Sequence, residues 1–445
     1  MELAEKLFHK SRREKLNNIL DDNSLVIVLG ASNVTRSYDD GYKFKQNKNF
    51  YYLTGFNEPN AALILAPGGM EVHDEKSKKI VKTKELLFVQ KKDPLRETWV
   101  GRRLGYSNVK KELGVETGMV NSKLGDVLAD LISHDKYNKI YISLYDLNFL
   151  AGEVKEQMRG FESSWITLST NVQIMDVNFI LAKMRSVKNE FEIEQVRYAS
   201  TVTAAGFYNT IQMIKPDMYE YQVQALLEYH YKELGCQDEA FETIVAGGNN
   251  TCILHYNTNR NKLKSGELLL IDSGAEFNYY NGDLTRTIPV NGKFTKEQKE
   301  IYQIVLNAQY DVIEMIRPGV KLTDLKKYSV ERLKKGMQKL GLLKKGFDIT
   351  KYTLHGVGHH LGLDTHDAVA NKSIGKNDFD RLLVGNIITV EPGIYFPEDA
   401  KEIPERYRKI GVRIEDDVLV TRLGGEVLSD SLPKEIEDIE FLMME

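Results

Sequence analysis

Apolar positions along the chain follow two rhythms. In the first twenty residues they recur at helical spacing, predicting an amphipathic helix with Leu7, Phe8, Leu16, Ile19 and Leu20 inward. Short unbroken apolar runs follow: SLVIVLG from Ser24, NFYYLTGF from Asn49, AALILAP from Ala61, KELLFVQ from Lys84 and KIYISL from Lys139. Bounded by polar or Gly/Pro residues, they read as buried strands, with helical patterns between them. Such alternation predicts an α/β domain over residues 1–178.

Near Ile180 the rhythm changes. A long helical pattern from Lys188 stops before Pro216, and a second, from Phe294, stops before Pro318. Thr295 and Gln298 form a capping box at the start of the second. The endings match, Met213-Ile-Lys-Pro against Met315-Ile-Arg-Pro, and each is followed by another helical segment closing on Leu-Gly and then by polar-tipped strands. This is an internal duplication, and it predicts a pseudo-symmetric α+β domain over residues 179–445 with two sheets curved around one site.

Composition narrows the partners. Hydrophobic content of 42% and charged content of 28% suit a globular protein with a sizeable core. A net charge of −4 gives no reason to expect nucleic acid. Two cysteines, Cys236 and Cys252, are too few for a disulfide framework and fit a reducing compartment. The N-terminus has no signal-peptide core, and no apolar run is long enough to span a membrane. These features predict a cytoplasmic protein.

The chemistry concentrates at strand ends. In ELLLIDSGAEFNYYNGDLTRTIPV, residues 267–290, the apolar run Leu268–Ile271 ends on Asp272, and the chain returns through Asp283. A turn centred on Phe277 and Asn278 would set Asp272 opposite Asp283 on one hairpin face. Alone, the pair reads equally as strand-end acids or as a metal site. The second half supplies its own pair. Glu391 ends an apolar strand before Pro392-Gly393, and GVRIEDDVLV from Gly411 sets Arg413, Glu415 and Asp417 on one strand face. Acids at matched places in two halves require cations between them.

Five of the nine histidines, His255, His355, His359, His360 and His366, fall in one stretch of the chain and complete the pattern. The Gly-rich context of HGVGHHLGLDTHD argues against a zincin helix, and the glutamate of H-E-x-x-H is missing. Its glycines also lack the spacing of a dinucleotide loop. An oxygen-rich set with about one imidazole suits two divalent ions such as Mn²⁺, Fe²⁺ or Co²⁺ better than a thiolate zinc site. Such a pair can generate a nucleophile and clamp a tetrahedral intermediate.

At these residues the sequence resembles the Xaa-Pro aminopeptidases of the pita-bread metallopeptidase family. The similarity runs through ILHYNTN from Ile253, LIDSGAE from Leu270, GDLTRTIPVNGKFT from Gly282, HGVGHHLGLDTHD from His355, TVEPGIY from Thr389 and GVRIEDD from Gly411. In the N-terminal half it includes VTRS from Val34, FYYLTGFNEP from Phe50 and WVGRR from Trp99. The resemblance implies a pita-bread catalytic domain behind the α/β domain, the latter shaping oligomer contacts and the active-site mouth.

It also implies two divalent ions, most often manganese, with cobalt, iron or zinc as substitutes. Asp272 would bind one ion, Asp283 and Glu415 would bridge both, and His359 and Glu391 would complete the other. Glu391 would also relay protons. His366 would steady the scissile carbonyl and His255 the residue after the cleaved bond. His355 and Arg413, with Tyr395, would shape the leaving-side pocket. Asp39 matches a proton-relay position near the mouth, and Trp99 an aromatic residue that enters a neighbour's site in tetrameric members. The implied reaction is removal of the residue before proline by a metal-bridging hydroxide, in a homodimer or homotetramer. The alternatives are a prolidase confined to Xaa-Pro dipeptides and a non-catalytic pita-bread binding protein.

Overall fold

The computed structural model describes residues 1–75, 77, 79–133, 136–143, 172–343, 347–367 and 380–444. The chain forms two compact units, Met1–Leu181 and Ala182–Glu445.

In the first unit a six-stranded sheet runs in the order Thr117–Val120, Ile80–Val89, Ala62–His73, Ser24–Leu29, Lys139–Ile142 and Gln173–Asp176. Strand Ser24–Leu29 is buried at every residue, which explains its unbroken apolar run. It pairs antiparallel with Ala62–His73 and parallel with Lys139–Ile142. The expected last residue of the latter strand, Leu144, lies outside the described residues.

Two expectations for this unit fail. NFYYLTGF is not a strand but the helix Lys48–Thr54. The Asn47 side chain caps it by accepting from Phe50 N, and Gly55 closes it in the left-handed conformation. Burial of Phe50, Tyr51, Tyr52, Leu53 and Thr54 in succession erased the helical period. The first helix, Leu3–Ile19, also turns a different face inward. Leu7 and Ile19 are exposed, while Phe8, His9, Arg12, Arg13 and Leu16 are buried. Arg13 pairs with Glu85 at 3.0 Å and donates to the carbonyls of Leu53 and Gly114, so a cation sits where an apolar residue was expected.

In the second unit the duplication appears as matched helix pairs, Glu190–Met213 with Glu220–Glu233 and Lys296–Met315 with Leu322–Lys339. Both long helices open on capping boxes, Asn189/Glu192 and Thr295/Gln298. Both close on an extended isoleucine, Ile214 or Ile316, whose N–H returns to the carbonyl of Ile211 or Ile313. Each pair is followed by its own sheet. In the first half Leu268–Ser273 lies between Ile244–Gly247 and Leu284–Pro289. In the second, Asp416–Val420 lies between Ile387–Val390 and Gly425–Val427, and Gly393–Phe396 pairs with Ile410–Arg413. The two halves share one core, in which Leu269, Ile271 and Ile288 pack with Ile301, Val305, Ile394 and Ile414.

The site hairpin differs in register from expectation. Asp272 faces Thr285, not Asp283, because the turn centres on Asn278 and Tyr279, both at positive φ. The shift moves Asp283 by two residues along the strand, so the alternation that keeps both acids on one face survives. Gly274 is required here. A Cβ would lie 1.7 Å from the Gly282 carbonyl oxygen, which blocks any side chain between the two acids.

Candidate metal centre

Strand ends bring the acids together. Asp272 is the next-to-last residue of the central strand of the first sheet, and Asp283 precedes its neighbour. Glu391 follows Ile387–Val390, and Glu415 sits between Ile410–Arg413 and Asp416–Val420. The Glu415 N–H donates to the Thr285 carbonyl at 3.0 Å, which stitches the two half-sheets at the site. On the other face of that strand, fully buried Arg286 donates to the carbonyls of Thr285 and Glu415 and pairs with Asp416 at 2.8 Å.

His359 arrives on an irregular segment, as its glycines predicted. A Cβ on Gly358 would lie 1.9 Å from the Thr389 carbonyl oxygen, so only glycine lets this segment lie so close to the Ile387–Val390 strand. His359 Nδ1 faces the His360 carbonyl at 3.1 Å and donates to it as Nδ1–H, which leaves the Nε2 lone pair 3.4 Å from Asp283 and 3.9 Å from Glu391. Ligand atoms of Asp283, His359 and Glu415 all lie within 4.8 Å of one another.

Charge is unbalanced in this cluster. Burial, then the neighbouring charges of Asp272, Asp417 and Glu391, push the Asp283 carboxyl well above its usual range. Burial with Asp283, Glu391 and Asp272 does the same to Glu415. Glu391 differs: burial raises it, but the hydrogen bond from His355 and the charges of His355, His359 and Arg413 hold it below the usual value. Arg413 alone cannot neutralise four acids, and among the described residues the buried Asp272 Oδ1 has no hydrogen-bond partner. An oxygen-rich donor set with one imidazole and surplus negative charge fits divalent cations.

The remaining predicted residues divide. His255, His355, His366 and Arg413 line the same cleft of about 780 Å³ as Asp272, Asp283, His359, Glu391 and Glu415. The His366 ring meets that of His359 edge-on at 4.3 Å. Burial and the charges of His359 and His255 lower its pKa, so it is neutral at pH 7. Tyr395 is buried behind the cleft and accepts from Arg413 at 2.9 Å. Asp417 was expected beside Arg413 and Glu415, but its Oδ2 accepts from Ser200 Oγ and the Asp283 N–H instead, because the strand breaks between Arg413 and Asp416. Burial pushes the Asp417 carboxyl up to about 7. Asp39 sits in the turn of a short ribbon in the first unit, and Trp99 is 89% exposed on the helix Pro94–Val100.

Sequence reasoning missed several supports. Thr285 donates to Glu415 Oε2 at 2.7 Å and accepts from Arg413 Nε. Asp367, next to His366, is buried between Arg185 and Lys188, the latter at 2.9 Å, and the pair of cations overcomes burial to lower its carboxyl to about 2. The adjacency of His366 and Asp367 was the available signal. Nothing local marked Arg185 or Lys188.

Acids and a histidine converging from two duplicated halves define a metallopeptidase. The chain belongs to metallopeptidase family M24, whose profile matches residues 194–422, and the aminopeptidase P N-terminal domain matches residues 9–141. It is 37% identical to the Xaa-Pro aminopeptidase of Haemophilus influenzae, over 98% of this chain and 96% of that protein. It is 32% identical to human Xaa-Pro aminopeptidase 3, over 96% of this chain and 84% of that protein. Among solved structures, Escherichia coli aminopeptidase P with the inhibitor Pro-Leu superposes with a TM-score of 0.88 at 34% identity, covering 99% of this chain and 98% of that one. Among the described residues no helix is long and apolar enough to cross a membrane.

Proposed function

We infer that this protein is an Xaa-Pro aminopeptidase that releases the first residue of peptides carrying proline second. The observation that carries the reading is the convergence of Asp272, Asp283, His359, Glu391 and Glu415 in one cleft, in a chain similar over its whole length to Xaa-Pro aminopeptidases.

Asp272 would hold one divalent ion and His359 with Glu391 the other, while Asp283 and Glu415 would serve both. Manganese is the favoured ion, with cobalt, iron or zinc as substitutes. Such ions would supply Lewis acidity toward the scissile carbonyl and make a water more acidic. The surrounding residues do the rest. His366, neutral at pH 7, can donate an uncharged N–H to the carbonyl oxygen, and His255 steadies the residue beyond the bond. The bond to proline has no N–H, and its nitrogen leaves only once protonated. Glu391, held ionised by His355, accepts a proton from the attacking water and passes it to that nitrogen. The His355 side of the cleft therefore takes the proline and the Asp272 side the first residue. Asp39 and Trp99 are proposed at the mouth of the site, Trp99 reaching a neighbour's site in a homodimer or homotetramer. The free cysteines support a cytoplasmic setting.

A chain-length series of proline peptides with metal quantified alongside tests the reading. Release of the first residue from Xaa-Pro-Xaa tripeptides and longer peptides is expected. Activity confined to Xaa-Pro dipeptides would overturn it in favour of a prolidase.

A further inference from the structure

The first-residue side of the cleft carries a carboxylate that neither the metal site nor the proton relay uses. Phe241, Glu242, Ile244 and Leu254 line the cleft together with Asn257. Ile244 pairs directly with Asp272, so the two side chains stand on one side of the sheet. Ile244 clusters with Leu270 and with the ring of Tyr395, whose hydroxyl turns to His355 on the leaving side, and Leu254 packs against that cluster, which gives this wall an apolar floor. Glu242 lies two residues before Ile244, roughly 7 Å away along an extended chain. Its Oε2 accepts from Asn257 Nδ2 at 2.5 Å, and among the described residues this is its one side-chain partner. The carboxylate is exposed at the cleft, oriented by a neutral amide and, among the described residues, paired with no cation.

We propose that Glu242 gives the enzyme a preference for a basic first residue. The proposal rests on the aminopeptidase reading, which puts the first residue beside Asp272. A lysine or arginine there would lay its methylenes on Phe241, Ile244 and Leu254 and carry its cation to Glu242. A neutral side chain of equal length would use the floor and leave the carboxylate to water. A glutamate would meet repulsion. An exposed ion pair of this kind is worth about two- to fivefold in kcat/KM, expressed through KM and weakened by salt.

The test uses the metal-loaded full chain and three tripeptides of the form Xaa-Pro-Ala, with lysine, norleucine or glutamate first. The expected order is lysine above norleucine above glutamate, with the lysine-to-norleucine ratio falling as salt rises. In Glu242→Gln that ratio should fall to about one, and in Glu242→Lys glutamate should overtake lysine. A wild-type ratio at or below one, or a ratio unchanged in Glu242→Gln, overturns the role of Glu242 and leaves the aminopeptidase reading standing. Cleavage of none of the three by the loaded wild type overturns the aminopeptidase reading and the proposal with it.

Discussion

Arg413 Nη2 donates to Asp272 Oδ2 at 2.5 Å, joining an acid of the first half-sheet to a cation from the second. The same guanidinium donates through Nη1 to Tyr395 and through Nε to Thr285, whose hydroxyl donates to Glu415. Three donors in one plane thus set two acids that come from opposite halves. A lysine keeps the charge but cannot reproduce the fork. Arg413→Lys should lower kcat/KM about 10- to 100-fold and weaken metal retention, as steady-state kinetics with metal titration will show. Wild-type kinetics in the variant would mean that charge alone suffices.

His355 bridges Tyr395 and Glu391. Tyr395 accepts from Arg413 and meets His355 Nε2 at 2.6 Å, while His355 Nδ1 lies 3.1 Å from Glu391 and donates toward it and the Gly356 carbonyl. His355 is among the groups that hold Glu391 below the usual carboxylate range. His355→Phe should therefore raise the Glu391 pKa and move the acid limb of the pH–kcat/KM profile to higher pH. Tyr395→Phe should shift it less. An unmoved acid limb in His355→Phe would exclude Glu391 as the group titrating there.

Asp367 anchors the segment bearing His366 through two buried cations, Arg185 and Lys188. Removing one partner of such a cluster costs about 3–5 kcal/mol, so Asp367→Asn should lose about that much in urea unfolding near neutral pH. The folded pKa is depressed to about 2. Its stabilisation is present above the unfolded value of about 3.9 and is lost as pH falls through 2. The gap between wild type and variant should narrow across that window and stay constant above it.

Two of the proposed metal ligands behave in the opposite sense. Asp283 and Glu415 have raised pKa values in the folded chain, and Asp417 reaches about 7. Stability from such groups is complete below about pH 4 and falls as pH rises through their folded values. Chelator-treated protein should melt at a lower temperature at pH 8 than at pH 5.5, and added Mn²⁺ should raise Tm more at pH 8. Calorimetry showing an equal rise at both values would argue against these carboxylates as the ligands.

Much of this architecture was legible in the sequence because it is repeated or periodic. The matched endings before Pro216 and Pro318 exposed the duplication, and apolar runs ending on Asp272 and Glu391 marked strand tips. The misses have physical causes. Helix Lys48–Thr54 is buried over five successive residues and so shows no helical period. Arg13 occupies a buried position through its ion pair with Glu85 and hydrogen bonds to the carbonyls of Leu53 and Gly114, and buried Arg12 lies over the rings of Phe8 and Tyr52, neither of which residue type can signal. The hairpin turn fell one residue later than expected because Asn278 and Tyr279 both adopt positive φ. Partners such as Arg185 and Asp367 are 182 residues apart and meet only in the folded chain.

The most direct measurement is the metal content of purified protein by elemental analysis, in wild type and in Asp283→Ala and Glu415→Ala. Asp283 and Glu415 come from different halves and are proposed to serve both ions. The wild type should hold two divalent ions per chain, and each variant should lose both together. Two ions retained in either variant would contradict a single centre built jointly by the two halves.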